Sequence, residues 1–333
     1  MPTARTPESS DPEIEKLFEK IRAAGFPLVG AVDIALAEEA FRTHSHRYSE
    51  WIEKGYHGEM GYLERGLARR LDPALVFPAV KSVVVCAIPY RRNFDAPSES
   101  SSPRYARYMQ GPDYHELLPE RLRGALAEWG VPATWKICVD TSAVLERSWA
   151  ALAGLGWIGK NTLLIHPKLG SYLFIATILL DRETGLGPNP IPNYCGNCSA
   201  CLEGCPTRAF VEAGTLDSRK CISYLTLEKR GDWKAVSAES RDKMGTWVAG
   251  CDLCQEVCPY NRKPVRLDET WPSDVRDAAL VTDWGALENE TEEAYRARVR
   301  DSALSRVKYP EMRRNIENAR RNADQLSRGP GAG

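Results

Sequence analysis

Eight of the ten cysteines in this 333-residue chain lie between Cys195 and Cys258 and are spaced like ligands of iron–sulfur clusters. Cysteines two residues apart can wrap one face of a cubane, while a later cysteine followed by proline ligates the neighbouring cluster. The runs are Cys195-x-x-Cys198-x-x-Cys201-x-x-x-Cys205-Pro206 and, after an isolated Cys221, Cys251-x-x-Cys254-x-x-x-Cys258-Pro259. One [4Fe–4S] cluster is therefore predicted on Cys195, Cys198, Cys201 and Cys258, and a second on Cys205, Cys221, Cys251 and Cys254.

Structural zinc is the alternative for such cysteine pairs, because two-residue spacing also suits Zn²⁺. Both runs end in Cys-Pro, and the last cysteine of each run is predicted to bind the cluster held by the other run. Zinc ribbons do not share ligands in this way. The pattern therefore favours iron–sulfur clusters and one-electron transfer. The other two cysteines, Cys86 and Cys138, lie in apolar strand-like runs and are predicted to be core residues.

One carboxylate stands where an apolar strand ends. Asp140 follows the sequence WKICV and precedes a predicted helix. Ligand and catalytic groups of open α/β sheets collect at the carboxyl ends of strands, which makes Asp140 a candidate catalytic residue. Its position alone is more typical of a helix N-cap or a turn residue.

A glycine-rich string, Gly154 to Gly159, matches the G-x-G-x-x-G pattern of dinucleotide sites. Such a site needs a strand before the glycines and a helix after them. Here a predicted helix precedes the string and an apolar run, Thr162 to Ile165, follows it. Nicotinamide binding is therefore rejected, and the glycines are interpreted as a turn that lets backbone approach protein or a flat cofactor closely.

Strands and helices alternate up to about residue 185 and must position these residues. Helices are predicted from the Asp11 cap to Gly25, over Leu117–Trp129 and over Ala143–Leu152, and strands over Leu28–Ile34, Ser82–Ile88, Thr134–Val139 and Tyr172–Leu180. Ser82–Ile88 is apolar throughout, as in strands buried on both faces. The alternation predicts an open α/β sheet.

Three regions are predicted along the chain. Residues 1–190 form the α/β domain, and the Gly/Pro-rich stretch 182–194 marks its end. Residues 191–265 form the cysteine-rich module. Residues 266–333 form a helical, basic region with a disordered tail.

The net charge and the lengths of the apolar runs exclude some classes of protein. The net charge of −1 excludes a uniformly basic nucleic-acid-binding coat. No apolar run approaches the roughly 20 residues of a membrane helix, and no signal peptide is visible, so a cytoplasmic protein is predicted. Residues 296–321 carry nine basic and three acidic residues, which is typical of a solvated helical face.

Taken together, these stretches resemble the epoxyqueuosine reductase family, cobalamin-dependent iron–sulfur enzymes related to reductive dehalogenases. The similarity runs in family order over roughly residues 10–265. The matching strings are His57–Leu63, Tyr105–His115, Asp140–Arg147, Gly154–Thr162, Cys195–Pro206, Cys221–Thr226 and Gly250–Pro259. GLGWIGKNT and CISYLT are far more specific than the ferredoxin motifs alone.

The resemblance implies an α/β (α+β) domain that binds base-off cobalamin, a bacterial-ferredoxin-like module with two [4Fe–4S] clusters, and a short helical C-terminus. It implies that Asp140 is the proton donor. It also implies a set of cofactor-binding residues, namely Tyr105, Tyr108, Asp113, Tyr114, His115, Gly156, Trp157, Gly159, Lys160, Asn161 and Ser223. Asp113 and His115 match the start of the corrinoid D-x-H-x-x-G motif, but Leu118 replaces its glycine, so a histidine lower ligand to cobalt is not predicted.

The implied substrate is tRNA carrying epoxyqueuosine at the wobble position, which would be reduced to queuosine. The implied reductant is an unidentified protein of flavodoxin or ferredoxin type. A monomer that does not bind membranes is expected. Because the chain is too short for the helical-repeat region of some members, its C-terminal arginines (Arg313, Arg314, Arg320 and Arg321) are predicted to contact tRNA phosphates.

Two other functions share parts of this pattern. A corrinoid reductive dehalogenase also uses cobalamin and two clusters, but those enzymes typically carry a twin-arginine signal, which is not seen here. A non-catalytic ferredoxin-type electron-transfer protein would leave the predicted N-terminal domain without a function.

Overall fold

The computed structural model describes residues 11–90, 101–109, 111–262 and 280–328. The helices are α1 Pro12–Ala23, α2 Ile34–Glu53, α3 Gly61–Arg65, α4 Leu67–Leu71, α5 Tyr114–Trp129, α6 Glu146–Leu152, α7 Ala200–Glu203, α8 Ile222–Leu227, α9 Ala238–Asp242, α10 Leu253–Glu256, α11 Trp284–Asn289, α12 Glu292–Val299 and α13 Tyr309–Arg328. The strands are β1 Leu28–Asp33, β2 Ser82–Pro89, β3 Arg104–Tyr105, β4 Trp135–Cys138, β5 Trp157–Ile158, β6 Leu164–Ile165, β7 Leu173–Leu180, β8 Phe210–Glu212, β9 Thr215–Leu216 and β10 Trp247–Ala249. No helix in this described part is long and apolar enough to cross a membrane. The predicted tail lies outside it from residue 329 onward.

The first helix begins as its sequence predicts. The carboxylate of Asp11 accepts a hydrogen bond from the amide of Glu13 at 2.8 Å and caps α1. Pro12 fits the first helical position because its missing N–H would have no partner there. The predicted apolar face is confirmed as buried and comprises Ile14, Leu17, Phe18 and Ile21.

A four-stranded sheet in the order β1-β2-β7-β4 forms the centre of the N-terminal region. All four predicted strands are confirmed. Every neighbouring pair is antiparallel, whereas alternating strands and helices usually form parallel sheets. The apolar pattern of a strand reports its burial and not its direction, so the sequence did not distinguish the two arrangements.

Helices cover both faces of this sheet. Helices α1 and α5 pack against one face, which includes Cys86 and Ile178. Helices α2 and α6 pack against the other face, which includes Val85, Cys138 and Leu179. Burial on both sides explains why β2 is apolar along its length, and it confirms both isolated cysteines as core residues.

The cysteine-rich module is joined directly to the N-terminal region. Strand β10 pairs with β3 in parallel. Arg104 donates to both carboxylate oxygens of Glu256 at 2.8 Å. The amide of Arg107 donates to the buried carboxylate of Asp252 at 2.7 Å. These contacts cross the predicted boundary near residue 190; the boundaries themselves remain a prediction, and the one at 265 falls outside the described residues.

The C-terminal helix α13 is hydrogen-bonded to the end of α8 and to the loop that follows. The buried Arg314 donates to the carbonyls of Leu225, Lys229 and Gly231. The predicted phosphate contact of Arg314 is therefore wrong, because the protein's own backbone occupies its guanidinium.

The other three arginines of the predicted phosphate-binding group also contact protein groups. Arg313 donates to the carbonyls of Leu287 and Glu288. The ion pairs are Arg320 with Glu288 and Asp324, and Arg321 with Asp242. A count of charges along the sequence does not reveal these internal partners.

We expect Arg314→Gln to destabilise the fold by about 1 to 3 kcal/mol, since the buried carbonyl of Leu225 would be left without its donor. Anaerobic urea unfolding measures this loss. The control is Arg320→Gln, whose half-exposed ion pairs are expected to contribute about 0 to 1 kcal/mol. The resemblance implies tRNA binding, whose salt dependence in folded Arg314→Gln should match the wild type, and a flatter dependence would restore the phosphate-contact interpretation.

Candidate active site and cluster ligands

Asp140 lies in the loop between β4 and α6 in a left-handed conformation, with φ of 56°. Its amide donates to both carboxylate oxygens of Glu146, at 3.1 and 3.0 Å. Left-handed backbone is unfavourable for residues other than glycine and is kept only where the surroundings hold it. The N-cap of α6 is Leu145, so Asp140 does not cap that helix. Glu146 therefore holds the Asp140 loop, and the N-cap alternative is not supported.

His115 connects Asp140 to a second carboxylate. Asp113 caps α5 by accepting from the amide of His115 at 3.0 Å, and the same oxygen, Oδ1, lies 2.5 Å from His115 Nδ1. His115 Nε2 lies 3.1 Å from Asp140 Oδ2. The His115 side chain is 6% exposed, whereas that of Asp140 is 62% exposed. A buried imidazole thus joins the partly buried carboxylate of Asp113 to one that is open to solvent.

The two contacts shift the pKa values in opposite directions. Desolvation lowers the pKa of His115, but the hydrogen bonds and charges of Asp113 and Asp140 outweigh it and raise that pKa above its usual value. For Asp140, desolvation by the surrounding protein favours the neutral form, yet the pKa is lowered by His115 and by the charges of Arg306 and Arg147. At rest, therefore, Asp140 is a carboxylate beside a readily protonated histidine.

Aromatic side chains form one wall of this group. Tyr114 stacks on Phe174 with ring centroids 4.2 Å apart and also contacts the ring of His115 at 3.9 Å. Tyr108 meets Tyr114 edge-on. Burial and the charge of Asp140 raise the pKa values of Tyr108 and Tyr114, so both stay neutral. The predicted residues Tyr108, Asp113, Tyr114 and His115 are thus brought together with Asp140.

The sequence analysis missed several charged or polar neighbours of Asp140. Burial raises the pKa of Glu228, and the charge of Asp140 adds to this effect. Burial, Glu228 and Asp140 together raise the pKa of Tyr62 to about 12. Arg306 lies 4.0 Å from Asp113. Glu146 and Tyr62 lie within the strings that matched the family, which was the signal for them; nothing local in the sequence indicated Glu228 or Arg306.

The first predicted set of thiols faces one cavity. Cys195, Cys198, Cys201 and Cys258 line a space of about 40 Å³. Burial raises the pKa of Cys258, and the nearby thiols of Cys195 and Cys198 raise it further. No group of three or more Cys, His, Asp or Glu side chains in the described residues is close enough to hold a single metal ion. Four thiols around one cavity fit a larger group, such as a four-iron cluster.

The second set is brought together from distant parts of the sequence. Burial raises the pKa of Cys254, and the charges of Cys221 and Cys205 act on it in the same direction. Cys251 is likewise raised by burial, with Cys221 and Cys254 adding to the shift in its pKa. The isolated Cys221 therefore lies among these three thiols, and the donor set fits a second cluster.

Ser223 and Tyr105 lie elsewhere than beside Asp140. The amide of Ser223 donates a hydrogen bond to Cys221. The buried Tyr105 donates its hydroxyl to the carbonyl of Val281 and packs among C-terminal residues. The structure brings neither to the Asp140 group, so their contacts with cobalamin remain predictions.

The glycine-rich string folds into the hairpin β5–β6 beside the thiols, which agrees with the rejection of a dinucleotide site. A Cβ on Gly156 would collide with the carbonyl of Ile165, and one on Gly159 with the Ile165 side chain. Close backbone approach is thus the reason for glycine, as predicted.

Polar groups of this hairpin contact the cysteine loops. Trp157 Nε1 donates to Sγ of Cys195 at 3.4 Å. Lys160 donates to the carbonyls of Gly196 and Cys198, at 2.7 and 2.9 Å, and Asn161 to that of Cys254, at 3.4 Å. These predicted cofactor residues therefore lie at the cluster ligands, and their contacts with cobalamin remain a prediction.

Comparison with family models separates the zinc and iron–sulfur alternatives. A model described as "4Fe-4S double cluster binding domain" matches residues 194–261, which include all eight clustered cysteines. A second model, "Epoxyqueuosine reductase QueG, DUF1730", matches residues 70–141 and ends one residue after Asp140. The module binds two [4Fe–4S] clusters.

Known proteins match almost the whole chain. The epoxyqueuosine reductase of Pseudomonas aeruginosa is 37% identical over 321 residues, covering 92% of this chain and 86% of that protein. That of Gloeobacter violaceus is 38% identical over 320 residues, covering 92% and 96%. These matches favour an epoxyqueuosine reductase over the two alternatives, a reductive dehalogenase and an isolated ferredoxin.

Solved structures agree with the sequence matches. An epoxyqueuosine reductase crystallised with an epoxyqueuosine-modified tRNA-Tyr stem loop has a TM-score of 0.81 and 27% identity, over 94% of this chain and 82% of that one. The Bacillus subtilis enzyme, in a structure with its catalytic aspartate loop swung out of the active site, has a TM-score of 0.80 and 27% identity, with the same coverage. By sequence over nearly its full length and by fold, this chain belongs to the epoxyqueuosine reductase family.

Proposed function

We propose that this protein reduces epoxyqueuosine to queuosine at the wobble position of tRNA, using two [4Fe–4S] clusters and cobalamin. The observation that carries the proposal is the open carboxylate of Asp140, held by Glu146 and hydrogen-bonded to His115, in a chain whose module binds two clusters. Removing the epoxide oxygen as water takes two electrons and two protons. Clusters deliver electrons one at a time, and a positioned acid protonates the departing oxygen.

The cysteine sets would hold the clusters as the sequence predicted. Cys195, Cys198, Cys201 and Cys258 are assigned to one cluster, and Cys205, Cys221, Cys251 and Cys254 to the other. Trp157 and the amide of Ser223 donate to one sulfur of each set, and such hydrogen bonds to sulfur raise the reduction potential of a cluster.

Cobalamin would lie beside the Asp140 group, with Tyr108 and Tyr114 at its edge. When bound, it supplies a cobalt centre that takes electrons from the clusters and passes them to the epoxide. Both ring nitrogens of His115 are engaged by carboxylates. This arrangement suits base-off cobalamin without a histidine ligand from His115, in agreement with the departure from the D-x-H-x-x-G motif.

Asp140 would act as the acid that protonates the epoxide oxygen. Its side chain is exposed, and its loop is fixed by hydrogen bonds from both sides. Substrate and cobalamin would exclude water from Asp140 when they bind, which favours its neutral, proton-donating form. Solvent exposure without the substrate is thus compatible with acid catalysis in the complex.

The proposed partners follow from the substrate. RNA-modifying enzymes read single-stranded loop bases that can be splayed out, and a wobble nucleotide is such a base. The related structure with an epoxyqueuosine-modified stem loop supports tRNA as the substrate. We also propose a flavodoxin- or ferredoxin-type reductant and a monomer working in the cytoplasm, where tRNA is found.

A reconstituted assay tests this function. Anaerobically purified protein, cobalamin, a flavodoxin reducing system and epoxyqueuosine-tRNA are incubated, and the digested nucleosides are measured by mass spectrometry. Queuosine should appear only when cobalamin and reductant are both present. If epoxyqueuosine persists while a halogenated aromatic compound loses halide under the same conditions, the protein is a reductive dehalogenase instead.

Glu146 offers a test of how the Asp140 loop is held. Burial and the charge of Asp140 raise the pKa of Glu146 well above its usual value, so its carboxyl is treated as a neutral acceptor. Glu146→Ala removes the acceptor of the Asp140 amide, and we expect kcat to fall up to about 10-fold, because a hydrogen bond to a neutral group contributes about 0.5 to 1.5 kcal/mol. Glu146→Gln keeps an acceptor oxygen and should stay within a few-fold of the wild type. Single-turnover rates at saturating tRNA measure this difference. Equal rates for the Ala variant and the wild type would show that the loop does not need Glu146.

A further inference from the structure

The lowered pKa of Asp140 poses a question for the proposed function. A carboxylate that is ionised at neutral pH needs a source for the proton it delivers. The buried group that contacts Asp140 through a titratable nitrogen is His115, at 3.1 Å. His115 was predicted only as a cofactor-binding residue.

We propose that His115 stores the proton that Asp140 delivers to the substrate, and that Asp113 fixes the imidazole for this transfer. Asp113, His115 and Asp140 thus form a proton relay. His115 is a positioning and proton-supplying residue that acts through Asp140. This inference rests on the proposed role of Asp140 as the acid.

Between two ionised carboxylates, the contacts of His115 favour a protonated imidazole. A neutral imidazole has one N–H, so one of its nitrogens would present a lone pair to a carboxylate. His115 has a carboxylate at each nitrogen, with Asp113 at 2.5 Å and Asp140 at 3.1 Å. Only the imidazolium donates to both. Asp113 also accepts a hydrogen bond from the amide of His115, and this cap fixes the position of its carboxylate relative to the imidazole.

The charged surroundings leave the proton on the histidine until it is needed. Arg306 lies 4.0 Å from Asp113, and its charge and that of Arg147 act on Asp140, so both carboxylates are biased toward ionisation. Glu146 accepts from the Asp140 amide on the far side. The ring of Tyr114 covers one face of the imidazole. The path from Nε2 to Oδ2 of Asp140 leads the proton to the more exposed of the two carboxylates.

Each proton transfer is matched by a bond that breaks and a bond that forms. The Nε2–H bond of His115 breaks as an O–H bond forms on Asp140, and that proton passes to the epoxide oxygen as a C–O bond breaks. Two electrons from the reductant enter through the clusters and cobalamin. The relay supplies the first of the two protons. A second proton, which comes from solvent, reaches the same oxygen as the second C–O bond breaks, the carbon–carbon double bond forms and water leaves.

The first test locates the proton without any turnover. Full-length, cluster-loaded protein without cobalamin is labelled at histidine and titrated by NMR; the chain has five histidines, and His115→Gln identifies the signal of His115. The His115 pKa should lie above the ordinary value and fall in both Asp113→Asn and Asp140→Asn. His166, whose pKa burial lowers to about 4, is the internal control and should not move. An ordinary or low pKa for His115, or one unchanged in both variants, overturns the relay.

The second test is the pH dependence of single-turnover reduction. In the wild type the rate should fall as pH rises through the His115 pKa measured by NMR, because His115 then loses its stored proton. The rate of His115→Gln should be at least about 10-fold lower at neutral pH and should not show this fall with rising pH. General acid catalysis contributes a factor of about 10² to 10⁴ to the rate. In Asp113→Asn, which still caps α5, the fall in rate should occur at lower pH.

Failure of the relay is distinguishable from failure of the proposed function. Wild-type rate and pH profile in folded His115→Gln would overturn the relay while leaving epoxyqueuosine reduction intact. A wild-type enzyme that reduces no epoxyqueuosine at any pH would overturn the function, and the relay with it.

Discussion

Asp140→Asn is expected to slow epoxyqueuosine reduction by about 10² to 10⁴, or more, while the protein keeps its fold, both clusters and cobalamin. Asparagine is nearly isosteric, tolerates left-handed backbone and can still contact His115, but it has no carboxylic proton to give. Its amide keeps the hydrogen bonds to Glu146. The substitution therefore separates proton donation from the conformation of the loop.

Three measurements on the same preparation make this result decisive. Iron content and the cobalamin absorption spectrum should match the wild type, and single-turnover queuosine formation should not. Asp140→Ala should lose at least as much activity. Because Leu145 and not Asp140 caps α6, neither variant should show the stability loss of about 0.5 to 2 kcal/mol that removal of a helix cap causes. Wild-type turnover by folded, cobalamin-loaded Asp140→Asn would end the catalytic role of Asp140.

Cys221→Ala is expected to lower iron from about eight to about four per chain, because the second cluster loses one of its four thiolates. Cys221 is 30 residues from the next cysteine of its set, so it has no two-residue cysteine spacing of its own. The structure nevertheless places it within electrostatic reach of Cys205, Cys251 and Cys254. Electron transfer to cobalamin, and with it turnover, should be lost.

Cys86→Ala is the matched control for Cys221→Ala. Cys86 is a buried core residue on β2 whose thiol faces the carbonyl of Ala176 at 3.7 Å. Its replacement should cost stability and leave iron, acid-labile sulfide and the absorption spectrum unchanged. Full iron and an unaltered spectrum in Cys221→Ala would instead show that the ligand assignment is incorrect.

The two [4Fe–4S] clusters could be predicted from sequence because thiol spacing within a tight turn is a local property. The assignment of each cysteine to a cluster, which includes the distant Cys221, stays a prediction. The four main strands and the position of Asp140 after β4 were also local, and they were predicted. The contact between Asp140 and His115 was not, since it joins the start of α5 to the loop after β4, which only the tertiary fold brings together.

Two other features depended on partners that the sequence does not show. The charge pattern of the C-terminal helix fitted phosphate binding, but the guanidinium of Arg314 bonds to backbone carbonyls of an earlier segment. The glycine-rich string fitted a close backbone approach, and the structure shows that Lys160, which follows it, bonds to carbonyls of the cysteine loops, while its contact with cobalamin stays a prediction. In both cases the sequence shows a side chain that can donate hydrogen bonds, but only the packing of the fold decides which carbonyls accept them.

The hydrogen bonds of α13 to α8 have a consequence for the lifetime of the protein. Helix α8 begins directly after Cys221, and its last carbonyls are bound by Arg314 and Asn315. A metal centre that binds only the native state stabilises it by mass action. Iron occupancy and folding of the C-terminal helix are thus linked equilibria. We expect iron starvation or oxygen exposure to make the chain a substrate for proteases, so that iron supply sets the amount of enzyme as well as its redox state.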